Sequence, residues 1–292
     1  MDQRRAYLFA GMAIFFWSTV ATAFKIALRY MDFLNLVMYA SITSFFLLFF
    51  IVLFQGKLKE LKKNSFKDYL NSALLGFLSP FLYYIILFKA YSLLPAQVAQ
   101  PLNMVWPIVL VVLSVPMLGH KIKLRSYIAL FLSFIGVILI SSQGDFIHIT
   151  NSDPFGVTLA LGSSLIWSLF FILNVRDKRD EEIKLLLNFF FSSVFILTLN
   201  LTIGDFKIPE IKGVMAGVYV GVFEMGITYL FWLKALKLSK SSDLISNLVF
   251  LAPFISLIFI HFILGEKIFI TTIFGLCLIV FGIIFQKIRS LN

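Results

Sequence analysis

The sequence predicts an all-α integral membrane protein: ten transmembrane helices arranged as two inverted five-helix repeats. Three observations carry that expectation. Of 292 residues, 60% are hydrophobic and 14% charged, against roughly 45–50% and about 25% in ordinary globular chains. Ten apolar stretches are long enough to cross a bilayer, and the second half of the chain repeats motifs of the first.

A soluble protein of this size could not bury so much apolar surface. The composition therefore excludes a soluble enzyme, a disordered chain and a DNA-binding module. The net charge of +10 marks the cytoplasmic face of a membrane, not a nucleic-acid site. A single cysteine, Cys277, excludes an intramolecular disulfide and any multi-cysteine metal site.

A bilayer core of about 30 Å requires roughly 20 mostly apolar residues per helix. The stretches that meet this run 6–27, 34–54, 69–93, 96–118, 124–142, 156–175, 184–203, 213–236, 241–264 and 268–286. Backbone groups in lipid must bond within their own segment, and period-two alternation is absent, so helices are expected and a barrel is not. The first stretch imitates a secretory signal, with Arg4 and Arg5 ahead of it and Ala21-Thr22-Ala23 resembling a cleavage site. It is expected to be retained, because it has a counterpart in the second half.

The loops set the orientation. Eighteen Lys and Arg fall on one side, in the N-terminus and near 57–67, 121–125, 176–184, 237–240 and 287–289; four (Arg29, Lys207, Lys212 and Lys267) fall on the other. The positive-inside rule then puts both termini in the cytoplasm, which needs an even number of spans. The expected location is the plasma membrane of a bacterial or archaeal cell.

The repeat is read from several offsets. Met117-Leu118-Gly119-His120-Lys121-Ile122 matches Ile263-Leu264-Gly265-Glu266-Lys267-Ile268 at an offset of 146, which also pairs Pro107 with Pro253 and Gly136 with Gly282. Lys89-Ala90 matches Lys234-Ala235 at 145, and Trp17-Ser18 matches Trp167-Ser168 at 150. The two units are 1–145 and 150–292, joined by the polar loop Gln143 to Pro154. Five helices is an odd number, so the second unit enters the membrane from the opposite side. Such inverted units supply two nearly equivalent states, one open to each side, as alternating access demands.

The chain resembles the drug/metabolite transporter superfamily, specifically its ten-helix EamA-type exporters. The residues that carry the resemblance are Phe16-Trp17-Ser18-Thr19 with Lys25, Phe88-Lys89-Ala90-Tyr91-Ser92, Leu102-Asn103-Met104-Val105-Trp106-Pro107, and Leu264-Gly265-Glu266-Lys267. The Asn-x-x-Trp-Pro run looks most like the branch that includes aromatic amino-acid exporters. The resemblance implies two five-helix repeats, a central cavity and export of small metabolites.

In inverted-repeat transporters the substrate sits near mid-membrane, beside interrupted helices at matching positions. Pro107 and Pro253 fit as helix breaks; each removes a donor and frees a carbonyl one turn earlier, near Asn103 and Val249. A plain kink is the alternative. Trp17 and Trp167 are each the twelfth residue of their stretch, about 17 Å deep at roughly 1.5 Å per residue, and Trp106 is similarly central. A mid-depth indole N–H prefers a polar cavity or a protein interior, so these are cavity-wall candidates or packing residues. Trp232 reads as an interfacial anchor. Tyr83, Tyr84 and, opposite in the repeat, Tyr229 join the substrate-binding candidates, with Thr19 and Asn103 from the motifs above.

Glu224 is the most informative residue. It lies mid-stretch with no other charge within nine positions. A carboxylate there costs at least about 2–3 kcal/mol, so it faces a cavity, finds a cation or stays protonated. It is a candidate for substrate binding and for ion coupling; a hydrogen-bonded staple between helices is the alternative. Its repeat partner is Ser79, so its role is asymmetric. Lys89 and Lys234 are gating or coupling candidates, or snorkel to the headgroups. His261 and Cys277 read as packing. Small residues at Gly213, Gly217 and Gly221, and at Gly156, Ala160, Ser164 and Ser168, mark close helix contacts.

The chain lacks G-x-x-x-x-G-K-[ST], H-E-x-x-H and G-x-S-x-G. These absences argue against nucleotide-driven transport and intramembrane hydrolysis. The expected protein is a secondary transporter exporting small amphipathic metabolites such as amino acids. It is expected to need no cofactor, no metal and no nucleic acid; its partners are a small-molecule substrate and the lipid bilayer. A monomer is compatible with these features, and the sequence leaves oligomeric state open. A passive facilitator or channel for small solutes is the alternative function.

Overall fold

The computed structural model describes residues 2–118, 124–145, 152–203, 209–239 and 247–287. Residues 119–122 of the repeated motif, His148, Lys123, Lys207, Lys240, Arg289 and the start of the ninth stretch lie outside them. Among the described residues there is no strand.

Helix α1 spans Gln3–Ala27, capped by Asp2, whose carboxylate accepts from the Arg5 N–H. Helix α2 spans Phe33–Phe54, and Asp32 accepts from the N–H groups of Leu34 and Asn35. After a one-turn α3 (Leu58–Leu61), α4 (Phe66–Gly76) starts with a reciprocal Ser65–Asp68 capping box. These side chains pair N–H groups that a helix start otherwise leaves free. The third apolar stretch is broken: a π-helical turn, Phe77–Leu82, holds Pro80, and Ser79 is extended (φ −150°, ψ 127°) before α5 (Tyr83–Leu93) resumes.

The fourth stretch comprises α6 (Ala96–Asn103) and α7 (Trp106–Leu118), separated by a turn at Met104 and Val105 directly before Trp106-Pro107. Next come α8 (Leu124–Ser141), α9 (Pro154–Arg176) and α10 (Glu181–Ile203). The eighth stretch is also broken, into α11 (Ile211–Phe223) and α12 (Ile227–Leu238). A 3-10 turn (Asn247–Leu251) then precedes α13 (Ala252–Phe259), with Pro253 in its first turn, and a π turn (Ile260–Leu264) follows. Helix α14 (Ile270–Lys287) ends the described chain.

Among the described residues, six helices are long and apolar enough to cross a membrane: Gln3–Ala27, Phe33–Phe54, Phe66–Leu93, Pro154–Arg176, Glu181–Ile203 and Ile211–Leu236. Shorter apolar helices are Tyr127–Ser141, Leu248–Leu264 and Ile270–Phe285. The outer surface is apolar, with Phe54, Phe66, Leu201 and Phe262 at 78–84% exposure, while Ser18, Asn35, Ser41, Asn188 and Asn200 are buried among the helices. Polar groups inside and apolar groups outside suit a hydrocarbon solvent.

Helix α1 packs on α11, α12 and α13; α9 packs on α5, α6 and α7; α2 packs on α10 and α11; α10 packs on α4; and α8 pairs with α14. The last pair is very close: a Cβ on Gly136 would lie 2.7 Å from the Gly275 carbonyl oxygen, so only glycine permits that spacing. The Gly213–Gly217–Gly221 stripe faces Tyr30 and Met31 just before α2 and Tyr39 and Ala40 in its second turn.

Candidate functional site

The two helix breaks that lack a flanking Trp-Pro meet in one cavity. Its walls are Ser79, Pro80 and Tyr84 from the break between α4 and α5, Glu224, Met225 and Tyr229 from the break between α11 and α12, Trp167 and Phe170 of α9, and Leu185, Asn188 and Phe189 of α10. Its volume is about 40 Å³, room for about three waters at roughly 10–15 Å³ each. At the second break Glu224 ends α11, and Gly226 (φ −111°, ψ −98°) turns the chain into α12.

Polar groups are arranged around Glu224. Tyr84 donates its hydroxyl to Glu224 Oε1 at 3.0 Å. Tyr83 donates to Asn103 Oδ1 at 3.2 Å, and Asn103 donates to Ser163 at 2.8 Å. The rings of Tyr83 and Tyr84 are 4.6 Å apart, and Trp167 lies 5.0 Å from Tyr83. Thus Trp167, Tyr83, Tyr84, Asn103, Glu224 and Tyr229 gather in one region, Tyr83 and Asn103 just behind the wall.

Other candidates lie elsewhere. Trp17 packs against Trp232 at 5.4 Å and is not among the residues that line this cavity. Thr19 shares a 2.6 Å hydrogen bond with Tyr219. Trp106 packs on Phe171, and its carbonyl accepts from Ser168. Pro107 and Pro253 begin helices beside the turns described above, outside the cavity wall. Lys89 sits over the Phe33 ring at 5.1 Å and Lys234 over Phe9 at 4.5 Å; such cation–π contacts hold an ammonium at the edge of an apolar body.

Two polar clusters tie the ends of the bundle. At the Phe66 end of the third stretch, Arg179 is paired with Asp177 and also donates to Asn64 and Ser72, while Asn71 donates to Asp177. Lys57 bridges Asp180 and Glu182 at 2.8 and 3.0 Å. At the Leu93 end, Lys25 donates to the carbonyls of Tyr91 and Leu94 at 2.9 and 3.0 Å. Both Glu266 oxygens accept from the first N–H groups of α6, on Ala96 and Gln97, and the Gln97 amide bonds the backbone of Lys267 and Phe269. His261 contacts the Glu266 carbonyl and is exposed.

Burial alone would push the Asp177 carboxyl up, but the Arg179 hydrogen bonds outweigh it and hold the group below the usual range. A depressed carboxyl stabilises the fold above its unfolded value, about 3.9, and the contribution fades as pH falls through the folded value. Asp177→Asn is therefore expected to lower the melting temperature at neutral pH. The gap to wild type should close under acid, below about pH 4; a gap that stays constant across the titration contradicts the assignment.

Sequence reasoning missed the Ser79-Pro80 break, although Pro80 was a visible signal of it. It also missed Asn188, a polar residue two turns inside an apolar helix, and the clusters around Arg179 and Glu266, whose members are far apart in sequence.

A helical bundle with an apolar exterior, interrupted spans and a small polar and aromatic cavity at the interruptions has the build of a multi-pass membrane transporter. The chain belongs to the EamA-like transporter family, whose sequence profile matches residues 4–142 and again 154–286. It is 25% identical over 96% of its length to an "uncharacterized transporter" of Clostridium kluyveri, covering 92% of that protein. Another, from Archaeoglobus fulgidus, is 24% identical, with 90% of each chain covered. A solved crystal structure has the same fold, with a TM-score of 0.66, 18% identity, and 97% of this chain and 96% of that one covered.

Proposed function

We propose that the protein is a secondary active transporter that exports small amphipathic metabolites such as amino acids, by alternating access around the cavity at Glu224. One observation carries this: the cavity wall is built from equivalent positions of the two halves. Ser79, Pro80 and Tyr84 correspond to Glu224, Met225 and Tyr229 at a constant offset of 145, and both trios flank a helix break. Matched broken helices around a central site are what inverted-repeat carriers use.

Helix packing supports the same view. Exchanging α1 with α9, α2 with α10, α4–α5 with α11–α12, α6–α7 with 247–264, and α8 with α14 carries most of the main contacts onto one another, the α1–α11 pair excepted. The two separate family matches support units at 1–145 and 150–292. The remaining parts of the proposal are ten spans, inverted units, cytoplasmic termini and a bacterial or archaeal plasma membrane; they rest on the odd helix number and the loop charges.

In liposomes loaded with unlabelled amino acids, the purified protein is expected to take up labelled substrate by counterflow, with saturation and trans-stimulation. Uptake that neither saturates nor responds to internal substrate indicates a passive facilitator. Absence of flux across a broad metabolite panel overturns the proposal.

A further inference from the structure

Asn188 is 1% exposed and lines the cavity, and neither of its amide atoms has a hydrogen-bond partner among the described residues. Glu224 Oε2 is in the same condition, although Oε1 is engaged by Tyr84. Buried polar atoms in folded proteins are nearly always satisfied, by protein, by water or by an ion. The two acceptors among them, Asn188 Oδ1 and Glu224 Oε2, belong to residues that line one cavity and lack protein partners, so they point to a ligand that brings positive charge.

The rest of the wall narrows the ligand. Glu224 is the one carboxylate among the described lining residues, and no Lys or Arg lines the cavity to neutralise it, so the complement is a single positive charge. The volume of about 40 Å³ has room for an ion that keeps about two waters, at roughly 10–15 Å³ for each water. Among the described residues no three His, Cys, Asp or Glu side chains gather, so a divalent transition metal lacks its ligand set. The oxygens present are hard donors: a carboxylate, an amide carbonyl and a phenol. The helix α11 also ends at Glu224, and the carboxyl end of a helix carries negative partial charge. Interrupted helices of carriers hold sodium or protons at such half-helix C-terminal ends.

The position of Asn188 is fixed by its surroundings. Gly76, the last residue of α4, lies directly against the Asn188 main chain, where a Cβ would collide with the Asn188 carbonyl oxygen. That contact joins α10 to the helix leading into the Ser79 break, so the amide and the first broken helix are held as one wall.

We propose that this cavity binds a monovalent cation, sodium, through Glu224 Oε2 and Asn188 Oδ1. The inference deepens the transport proposal by naming the coupling ion; it rests on that proposal for coupling but not for binding, so the two are tested apart. Purified wild-type protein in detergent is melted while sodium chloride replaces choline chloride at constant ionic strength. Sodium is expected to raise the melting temperature saturably, because a ligand bound only to the folded state stabilises it, and potassium is expected to do so much less. Asn188→Leu and Glu224→Gln are expected to shift half-saturation by roughly tenfold or more, or to abolish the response. Since either variant can fail to fold, Trp167 provides a second signal in wild type: sodium should change its fluorescence, and Trp167→Phe should remove that change. Equal effects of sodium, potassium and choline overturn the site, as does a sodium response that persists unchanged in both variants. Sodium binding without any counterflow keeps the site and defeats the transport proposal, and counterflow without sodium binding does the reverse.

Discussion

Glu224→Gln is expected to lose uphill, gradient-driven transport while keeping substrate exchange. The substitution preserves shape and leaves Tyr84 a carbonyl acceptor in place of Glu224 Oε1, but it removes the charge that a coupling ion or proton would bind. A buried carboxylate at mid-membrane costs at least about 2–3 kcal/mol, so the neutral variant should be no less stable than wild type, and a melting curve can check this. The liposome measurement has two arms. With a proton or sodium gradient imposed, wild type should accumulate labelled substrate above equilibrium and the variant should stop at equilibrium. With no gradient and substrate on both sides, the two should exchange at comparable rates. If the variant retains both activities, Glu224 is a hydrogen-bonded link between α11 and α5 and nothing more.

Gly76→Ala is expected to disrupt the same region by a different route. The added methyl would meet the Asn188 main-chain carbonyl, which has no rotamer with which to yield, so α4 and α10 must separate. Overpacking of this kind costs about 1–3 kcal/mol, and here it also displaces Asn188 and the Ser79 break from the cavity. A melting temperature several degrees lower, with reduced counterflow, is the expected result. The control is Gly162→Ala in α9, where nothing lies within 4 Å of the new methyl; there the helix propensity gain of up to about 1 kcal/mol should leave stability unchanged or raised. Equal effects of the two substitutions would mean that the Gly76 contact does not constrain the wall.

Depth was legible in the sequence and azimuth was not. The rise per residue places Glu224, Trp17 and Trp167 at similar depth, and the structure puts Trp167 and Glu224 in one cavity while Trp17 faces Trp232. The reason is the solvent. Both faces of a helix in lipid are apolar: in α2, Leu48 is 1% exposed while Phe46 and Phe50 are near 50%, and no polar stripe tells inside from outside. Interruptions were legible where proline followed tryptophan, at Pro107, but the one after Phe223 has no proline. It arises where Gly226 leaves the helix, and a lone glycine in an apolar run is also a common packing residue. Among the described residues, the ends of stretches were read within a few residues, because charged or proline-bearing loops bound most of them. The clusters there were not, since Arg179 meets Asn64 and Glu266 meets Ala96 across separations that no local pattern encodes.

The grip on the turn between α5 and α6 has a mechanical result. Lys25 of α1 holds the final carbonyls of α5, and Glu266 holds the opening amides of α6, so Leu94-Pro95 is yoked from both flanks. Swinging either helix outward alone would break these hydrogen bonds, including charge-assisted ones to Lys25 and Glu266. The turn, the end of α1 and the strap at 265–269 must consequently travel as a single lever.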